Sequence, residues 1–300
     1  MNSEEFIQEI KESYCDPDEI LADYREFRRY QWLARQTLDA FVAVCDSANI
    51  WYQLAWGSLL GVVRDGGQIP WDYDIDVFVL AKDRAVLVQE LCSRLDGEYS
   101  FVSLENNEKC RNYIMRIYPK GYDSSALHVD VFFLAGVPLD EDRKTEWLKK
   151  MKSISRTRYD KYVDIKHEFA GNLKRQVYLL AMKIVAVFPP VSSLDQSYWE
   201  LLEEQDLDTA IEWAECDIFA PDTVMEASLL RETIPFRVGS RSYAISKQYD
   251  KLLYKMYGDY ESYPSFQNRI TEMENHLAKL RRLCPISNLP QLMLTKARTE

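Results

Sequence analysis

The spacing of apolar residues predicts long helices near both ends of the chain. Between residues 17 and 46, apolar side chains recur every three or four positions, which places them on one helical face. Asp16 is suited to cap this segment and Pro17 to occupy its first position, so one long helix or two consecutive helices are predicted. Helices are also predicted at residues 246–257 and 267–283.

Short apolar runs predict a sheet in the first half of the chain. The runs at residues 75–80 and 127–134 are nearly all apolar, which is typical of buried strands. Residues 112–118 and 127–134 are predicted as the two arms of a hairpin around a loop at residues 120–123. Further elements are predicted as strands at 51–55 and 99–104 and as helices at 59–64 and 82–95.

The second half of the chain is predicted to be mostly helical. Its predicted elements are helices at residues 140–151, 172–188 and 195–205 and a small hairpin at residues 233–245. The fold class is therefore α+β, with a mixed sheet flanked by helices. We expect an N-terminal helical segment (1–48), a core that carries the sheet (49–140) and a helical C-terminal part packed on that core (141–300).

The most apolar run, residues 177–190, is interrupted by Lys183 and is too short to cross a membrane. A helix buried in the core is favoured because the run lacks a clear basic face, and peripheral contact with a membrane is the alternative. The first residues lack the apolar stretch of a signal peptide, and six cysteines without C-x-x-C spacing indicate reduced thiols. We therefore expect a cytoplasmic protein, with the inner face of the membrane as the alternative location.

The charge balance weighs against one class of partner. The net charge is −11, whereas proteins that bind nucleic-acid polymers usually carry a basic surface that neutralises phosphates. No nucleic-acid polymer is therefore expected as a partner, although a local basic patch could still hold a single nucleotide.

Three aspartates form the sharpest chemical pattern. Asp74 and Asp76 begin a predicted strand, and alternate side chains of a strand point to the same face. Asp130 lies within another apolar strand, where a lone buried charge would be costly. Carboxylates repel one another unless they share a cation, and Mg²⁺ or Mn²⁺ prefers such oxygen ligands. Alone, an Asp-x-Asp pair often marks a turn or calcium-binding loop, and Asp130 could simply be neutralised by an arginine.

A phosphate-binding element precedes these acids. Gly57 lets the backbone approach a phosphate, and Ser58 opens a predicted helix whose free N–H groups attract anions. Arg64 adds a guanidinium group that can bind phosphate through two hydrogen bonds. The order strand, Gly-Ser, helix, Asp-x-Asp and later strand acid favours a catalytic site over the separate structural interpretations of its parts.

This pattern resembles the nucleotidyltransferase fold and, more narrowly, the LicD family. The resemblance rests on the strings WGSLLGVVR (residues 56–64) and IPWDYDID (residues 69–76). Two further blocks agree: VDVF (129–132), which leads to GVP (136–138), and the C-terminal string YGDY (257–260). The matches run from about residue 51 to 260. Tyr73 departs from the family pattern, which commonly has an acid there, and a second acid that follows the VDVF block in the family is absent.

The resemblance implies roles for ten residues. It implies that Asp74, Asp76 and Asp130 are catalytic and hold Mg²⁺ or Mn²⁺, with Asp130 the best placed to take a proton from an acceptor hydroxyl. Donor phosphate would be bound by Gly57, Ser58, Arg64 and Arg116, and the pocket would include Trp71, Asp72 and Tyr73. An exposed strand arginine without a role is an equal interpretation of Arg116.

The activity implied is transfer of a phospho-alcohol group, such as phosphocholine, ribitol phosphate or glycerol phosphate. The donor would be CDP-linked, CMP would be released, and the acceptor would be a hydroxyl of a glycan or lipid-linked glycan of the capsule, lipopolysaccharide or teichoic acid type. Two alternatives remain: a nucleotidyltransferase that attaches a nucleotide from a nucleoside triphosphate to a small molecule or protein, and a non-catalytic module that binds a nucleotide or glycan.

Overall fold

The computed structural model describes residues 1–165, 172–186 and 188–285. The helices in these residues are α1 (Ser3–Ser13), α2 (Asp18–Ala48), α3 (Trp56–Leu60), α4 (Arg84–Arg94), α5 (Glu141–Tyr162), α6 (Leu173–Val185), α7 (Val191–Glu203), α8 (Ala227–Leu230), α9 (Tyr249–Tyr257) and α10 (Phe266–Leu283). The strands are β1 (Tyr52–Leu54), β2 (Ile75–Leu80), β3 (Tyr99–Val102), β4 (Met115–Pro119), β5 (Val129–Gly136), β6 (Glu212–Glu215), β7 (Met225–Glu226), β8 (Thr233–Val238) and β9 (Arg241–Ser246). A π-helical turn (Gly61–Asp65) continues α3, and short 3₁₀ turns occur at Ala81–Asp83 and Ala220–Asp222.

The main sheet is mixed, as predicted. Its strands follow the order β1-β2-β5-β4-β3, in which only β2 and β5 run parallel. Along one edge of β5, β4 pairs with its first residues and β6 with its last ones. Strand β7 extends the sheet beyond β6, while β8 and β9 form a separate hairpin. Helices flank the sheet and make up most of the C-terminal region, so the predicted fold class is confirmed.

Helix α2 resolves the choice between one long helix and two. It is continuous over 31 residues, and its apolar face is buried against α1, α10 and the sheet. The predicted start is one residue early, because Pro17 takes the cap position and Asp16 accepts only a long bond of 3.4 Å from the Asp18 N–H. The helix ends at Asn49, whose φ of 54° is one that asparagine tolerates better than most residues.

Several other predictions are confirmed and others need correction. The β4–β5 and β8–β9 hairpins lie where they were predicted, and Gly239 supplies the positive φ at the second turn. The helix predicted at residues 140–151 continues to Tyr162. Strands β6 and β7 were not predicted, and they join the sheet of the core although they come from the C-terminal part of the chain.

The expectation that the apolar helix near residues 172–188 lies in the core is wrong. Within α6 only Leu179 is fully buried, and most of its other apolar side chains face solvent. Its periodicity revealed an apolar face, but it did not reveal which side of the helix the protein covers. In the part of the chain that the structure describes, no helix is long and apolar enough to cross a membrane.

Candidate active site

Two of the predicted acids lie side by side on neighbouring strands. Asp76 on β2 is the register partner of Asp130 on parallel β5, so the two side chains project from the same face of the sheet. The flanking residues Ile75 and Val129 point into the core and are fully or almost fully buried. The alternation of apolar and acidic residues therefore places Asp76 beside Asp130, whereas Asp74, predicted to pair with Asp76 on the strand, lies just before β2.

The loop before β2 adds two more acids. Asp74 is exposed, whereas Asp72 is half-buried and accepts a hydrogen bond of 3.1 Å from the backbone N–H of Asp74. The Asp72 carboxylate also lies close to Gly57. A side chain at position 57 would crowd it, because a Cβ there would lie 3.3 Å from Asp72 Oδ2. Ser58 Oγ accepts a bond of 2.9 Å from the Asp76 N–H, so the Gly-Ser element fixes the start of β2.

Burial and electrostatic repulsion both disfavour a charged Asp76. Burial, and then the negative charges of Asp130, Asp74, Asp72 and Glu215, raise the pKa of Asp76 well above its ordinary value. Burial, followed by the charge of Asp74, raises the pKa of Asp72 to about 7. A site in which carboxylates resist ionisation gains free energy when a cation arrives, because the cation removes their mutual repulsion.

Asp130 differs because it has cationic partners. Arg116 on β4 is its register neighbour and donates a hydrogen bond of 2.8 Å from Nε to Asp130 Oδ1. His128 Nε2 lies 3.3 Å from the other carboxylate oxygen. Burial alone would raise the pKa of Asp130, but the attraction of Arg116 and His128 outweighs it and holds that pKa well below its usual range. The interpretation of Asp130 as a strand acid neutralised by an arginine thus describes its charge correctly.

Sequence reasoning missed two further acids, Glu215 at the end of β6 and Asp217 just after it. Glu215 accepts a bond of 2.5 Å from Trp56 Nε1. Burial and the charge of Asp217 raise the pKa of Glu215 well above its ordinary value despite this bond. Burial raises the pKa of Asp217 to about 7, although its carboxylate accepts a bond from the Phe219 N–H, and the charge of Asp130 adds to that rise. The sequence could have indicated them, because they are two acids two residues apart in an apolar segment, like Asp74 and Asp76.

A cavity of about 260 Å³ opens beside these acids. Its wall combines acidic, basic and aromatic side chains, which include Asp130, Asp217, Arg111, Arg116, Tyr159 and Phe219. The Arg111 guanidinium lies 5.9 Å from the centre of the Tyr159 ring. The cavity therefore presents guanidinium groups suited to phosphate and carboxylates suited to a cation or a proton.

A larger cavity of about 740 Å³ lies beside α3. Ser58 and Ile75 form part of its wall, together with Arg28 and Arg35 from α2 and Arg241 from β9. Its volume falls in the range of ligand pockets, roughly 300–1,000 Å³. Ser58 thus lines this cavity and also accepts the hydrogen bond from the Asp76 N–H at the start of β2.

Arg64, predicted to bind phosphate, contacts other groups. Its Nη2 lies 2.9 Å from Asp65 Oδ2, and its guanidinium stands 4.5 Å from the centre of the Tyr263 ring and 5.9 Å from that of Trp71. Arg64 therefore contacts Asp65, Tyr263 and Trp71. The other predicted polar residues lie near one another: Asp72, Asp74, Asp76, Asp130, Ser58 and Arg116.

Trp71 and Tyr73 were predicted to line the pocket, and the structure instead buries both in the core. Trp71 packs against Phe6 and Tyr263. Tyr73 is completely buried, and its hydroxyl accepts a bond of 2.9 Å from Lys279 Nζ. Both side chains support from behind the loop that carries Asp72 and Asp74 (residues 69–74, the acidic loop), because alternate residues of an extended segment point to opposite sides.

The donor set fits a divalent cation in its chemistry, since Asp74, Asp76 and Asp130 offer the oxygen ligands that Mg²⁺ and Mn²⁺ prefer. Burial, and then repulsion from the neighbouring carboxylates, raises the pKa of Asp76, and a cation would relieve that repulsion. Among the described residues, however, no group of three or more His, Cys, Asp or Glu side chains is arranged to hold a metal ion. The acids are neighbours in the fold without converging on one point, and Asp130 is directed towards Arg116 and His128.

Comparison with known proteins identifies the domain that carries this site. A family model described as the LicD/FKTN/FKRP nucleotidyltransferase domain matches residues 49–175. This part of the chain is similar to the LicD family domain. The match contains Gly57, Ser58 and the acids from Asp72 to Asp130, so the resemblance predicted from the sequence is confirmed.

The domain is similar to curated proteins from a bacterium and from mammals. It is 29% identical over 136 residues to the lipopolysaccharide cholinephosphotransferase LicD of Haemophilus influenzae, a match covering 42% of this chain and 51% of that protein. It is 45% identical over 49 residues to the ribitol 5-phosphate transferase FKRP of mouse and human, which covers 16% of this chain and 10% of those proteins. The LicD-like chain thus spans about half the length of the bacterial relative and about a tenth of the mammalian ones.

Proposed function

We propose that this LicD-like protein transfers a phospho-alcohol group from a CDP-linked donor to a hydroxyl of a cell-surface glycan and releases CMP. Phosphocholine, ribitol phosphate and glycerol phosphate are the candidate groups. The observation that carries the proposal is the register pair Asp76 and Asp130 beside a cavity lined by Arg111 and Arg116. The names of the relatives, a cholinephosphotransferase and ribitol 5-phosphate transferases, support the same class of reaction.

The guanidinium groups are proposed to bind the donor phosphates. Arg116, whose Nε donates to Asp130, lines the cavity, and a guanidinium can bind phosphate through two hydrogen bonds. Arg111 stands on the wall of the same cavity. Gly57 and Ser58 are also proposed to bind the donor, and the 740 Å³ cavity beside Ser58 has room for a nucleoside. Arg64 would act on the donor only through its charge.

A divalent cation is proposed as the cofactor. A bound Mg²⁺ or Mn²⁺, held by Asp74, Asp76 and Asp130, would supply charge neutralisation at the donor diphosphate. The chain's own contribution is to keep these acids close together: the Ser58 hydroxyl anchors β2, and Arg116 keeps Asp130 ionised.

Asp217 is a better candidate than Asp130 for the general base. A base works best when its pKa lies near the working pH, and Asp130 is held far below that value by Arg116 and His128. Asp217 lines the same cavity with a pKa of about 7. In the proposed step the acceptor oxygen bonds to phosphorus, its proton passes to the Asp217 carboxylate, and the bond from phosphorus to the CMP oxygen breaks.

The setting of the reaction is proposed to be the cytoplasm, with a glycan or lipid-linked glycan as the acceptor. All six cysteines are free thiols, four of them buried, which supports a reducing compartment.

CMP release from a panel of CDP-choline, CDP-ribitol and CDP-glycerol, with Mg²⁺ or Mn²⁺, tests the proposal. We expect one donor to be turned over, and Asp76→Ala to lower the rate by about 10²–10³-fold, a typical loss when a group that stabilises transition-state charge is removed. The fold should survive, because the substitution relieves repulsion among acids. Asp142→Ala, at an exposed acid at the start of α5, is the matched control and should leave the rate unchanged.

Other outcomes would overturn the proposal. Pyrophosphate release from a nucleoside triphosphate, with no turnover of CDP donors, would favour nucleotide attachment. Donor binding without any turnover in the presence of acceptor glycans would favour a non-catalytic module. Full activity of Asp76→Ala would show that the pair Asp76 and Asp130 is not catalytic.

A further inference from the structure

Helix α6 presents a continuous apolar face to solvent. Leu173, Val177, Leu180 and Ile184 follow one another at intervals of three or four residues, so they form a single stripe along the helix. Their exposed fractions are 72%, 60%, 60% and 71%. Tyr178 and Val185 widen the stripe, and Phe188, 80% exposed, continues it beyond the helix. These seven residues are called the outer face of α6.

The arrangement is the reverse of an ordinary surface helix, which turns polar residues outward. Leu179 is the apolar residue that α6 buries, and Lys183, on the inner side, donates a bond of 3.1 Å from Nζ to the carbonyl of Lys161 at the end of α5. A contiguous exposed apolar face of this kind marks an interaction surface.

The charge of α6 indicates what binds there. Apart from the inward-facing Lys183, the helix contains the cations Lys174 and Arg175 and no acidic residue, although the whole chain carries a net charge of −11. An apolar stripe with cationic side chains beside it is typical of helices that lie in the interface of an anionic bilayer. The long Lys and Arg side chains can reach lipid phosphates while the stripe enters the acyl region.

The dimensions of α6 fit a helix that lies on a membrane and does not cross it. Its 13 residues extend about 20 Å at 1.5 Å per residue, less than the roughly 30 Å hydrocarbon core of a bilayer. We propose that the outer face of α6 binds the surface of an anionic lipid bilayer.

The same part of the fold borders the proposed active site. Helix α6 packs against α5, and α5 contributes Ser155 and Tyr159 to the cavity that contains Asp130 and Asp217. Phe219, on the wall of that cavity, is 51% exposed. Docking through α6 would therefore hold the cavity close to a lipid surface, where an acceptor attached to lipid is presented.

The test measures binding of the full chain to vesicles by sedimentation. We expect binding to vesicles of phosphatidylcholine mixed with phosphatidylglycerol, weaker binding to phosphatidylcholine alone, and a loss of binding as salt rises. The double substitution Leu180→Ser and Ile184→Ser should lower the partition coefficient roughly tenfold or more, because two large apolar side chains are removed from the contact. Lys174→Glu should weaken binding to the anionic vesicles and leave binding to the neutral vesicles unchanged.

A matched control distinguishes binding through this face from nonspecific hydrophobic adsorption to vesicles. Leu139 and Ile211 are 57% and 64% exposed outside α6, so Leu139→Ser with Ile211→Ser removes similar apolar surface and should leave binding unchanged. Equal binding to neutral and anionic vesicles, or an equal loss in the control, would overturn the proposal. The measurement needs no turnover, so its outcome is independent of the proposed reaction.

Hydrogen exchange distinguishes a lipid surface from other occupants. Amides of α6 should become more protected when anionic vesicles are added. Protection of α6 that vesicles do not change would mean that another part of the chain or a second copy of it covers the face, and would overturn the proposal. Dependence of that protection on protein concentration would identify the second copy.

Discussion

The ionisation of each acid in the site depends on the charges beside it. Asp130 and Asp76 are register partners on adjacent strands, yet their pKa values shift in opposite directions. Arg116 and His128 stabilise the charge of Asp130, whereas the principal charged neighbours of Asp76 are other carboxylates. The sequence predicted that both acids would be present, but their different charge states follow from the partner on β4, which only the pairing of strands reveals.

The raised pKa of Asp217 makes stability depend on pH. Its pKa is about 7 in the folded protein against an ordinary value of 3.8, so the folded state binds more protons between these values. The free energy of unfolding should therefore fall as pH rises from about 4 to about 7, and this contribution should be constant above that range. Asp217→Asn, which keeps the oxygen that accepts from Phe219, should remove this decline and be more stable than the native chain at pH 8.

Urea denaturation of both proteins at pH 5 and pH 8 measures this effect. The difference between them should grow by up to about 3 kcal/mol from pH 5 to pH 8, since the folded-state pKa of about 7 lies two units above pH 5 and each unit corresponds to about 1.4 kcal/mol. Acids that do not interact with Asp217 titrate alike in both proteins, so their effects cancel in the comparison. Glu215 does not cancel, because the charge of Asp217 raises its pKa in the native chain. Parallel pH dependences would show that Asp217 is already ionised at pH 5.

At the level of elements, the strands that carry Asp76 and Asp130 were predictable because long apolar runs flank these acids. Strand β6 was not, since it has only four residues and its pairing joins Leu134 to Glu215 across a long stretch of chain. The acids Glu215 and Asp217 were missed for that reason. The burial of α6 was predicted wrongly, because periodicity locates an apolar face without showing what covers it.

The π-helical turn after α3 packs so tightly against the acidic loop that a single added methyl group, at Gly61, should disturb it. A Cβ on Gly61 would lie 2.5 Å from the carbonyl oxygen of Gly67 and 3.0 Å from the Ile69 nitrogen. Gly61→Ala should therefore displace the loop that leads to Asp72 and lower stability by about 1–3 kcal/mol. CMP release should fall as well, because the loop positions Asp74 and Asp76.

Gly97→Ala is the control for this substitution, since no atom lies within 4 Å of a Cβ at that position. It should change stability by less than about 0.5 kcal/mol, as is usual for surface sites. Thermal denaturation and CMP release of both variants provide the comparison. A Gly61→Ala protein as stable and active as Gly97→Ala would show that the loop can shift without cost.

At the level of the whole molecule, helices from opposite ends of the sequence hold the acidic loop. From α2, the buried Gln31 donates bonds of 2.9 Å and 2.6 Å from Nε2 to the carbonyls of Ile69 and Asp72. From α10, Lys279 binds the Tyr73 hydroxyl, and His276 Nδ1 lies 3.8 Å from Asp72 Oδ1. The site therefore depends on parts of the chain outside the matched domain, residues 49–175, and local motifs alone could not have indicated this dependence.

Gln31→Leu tests that dependence, because it keeps the volume of the side chain and removes its donor. Two buried carbonyls would lose a partner, which should cost about 1–3 kcal/mol of stability. Since these carbonyls belong to the acidic loop, the concentration of Mn²⁺ that gives half-maximal CMP release should also rise. Gln8→Leu, at an exposed position of α1, is the matched control and should change neither quantity. Lower stability with an unchanged requirement for Mn²⁺ would mean that Gln31 supports the fold without positioning the acids.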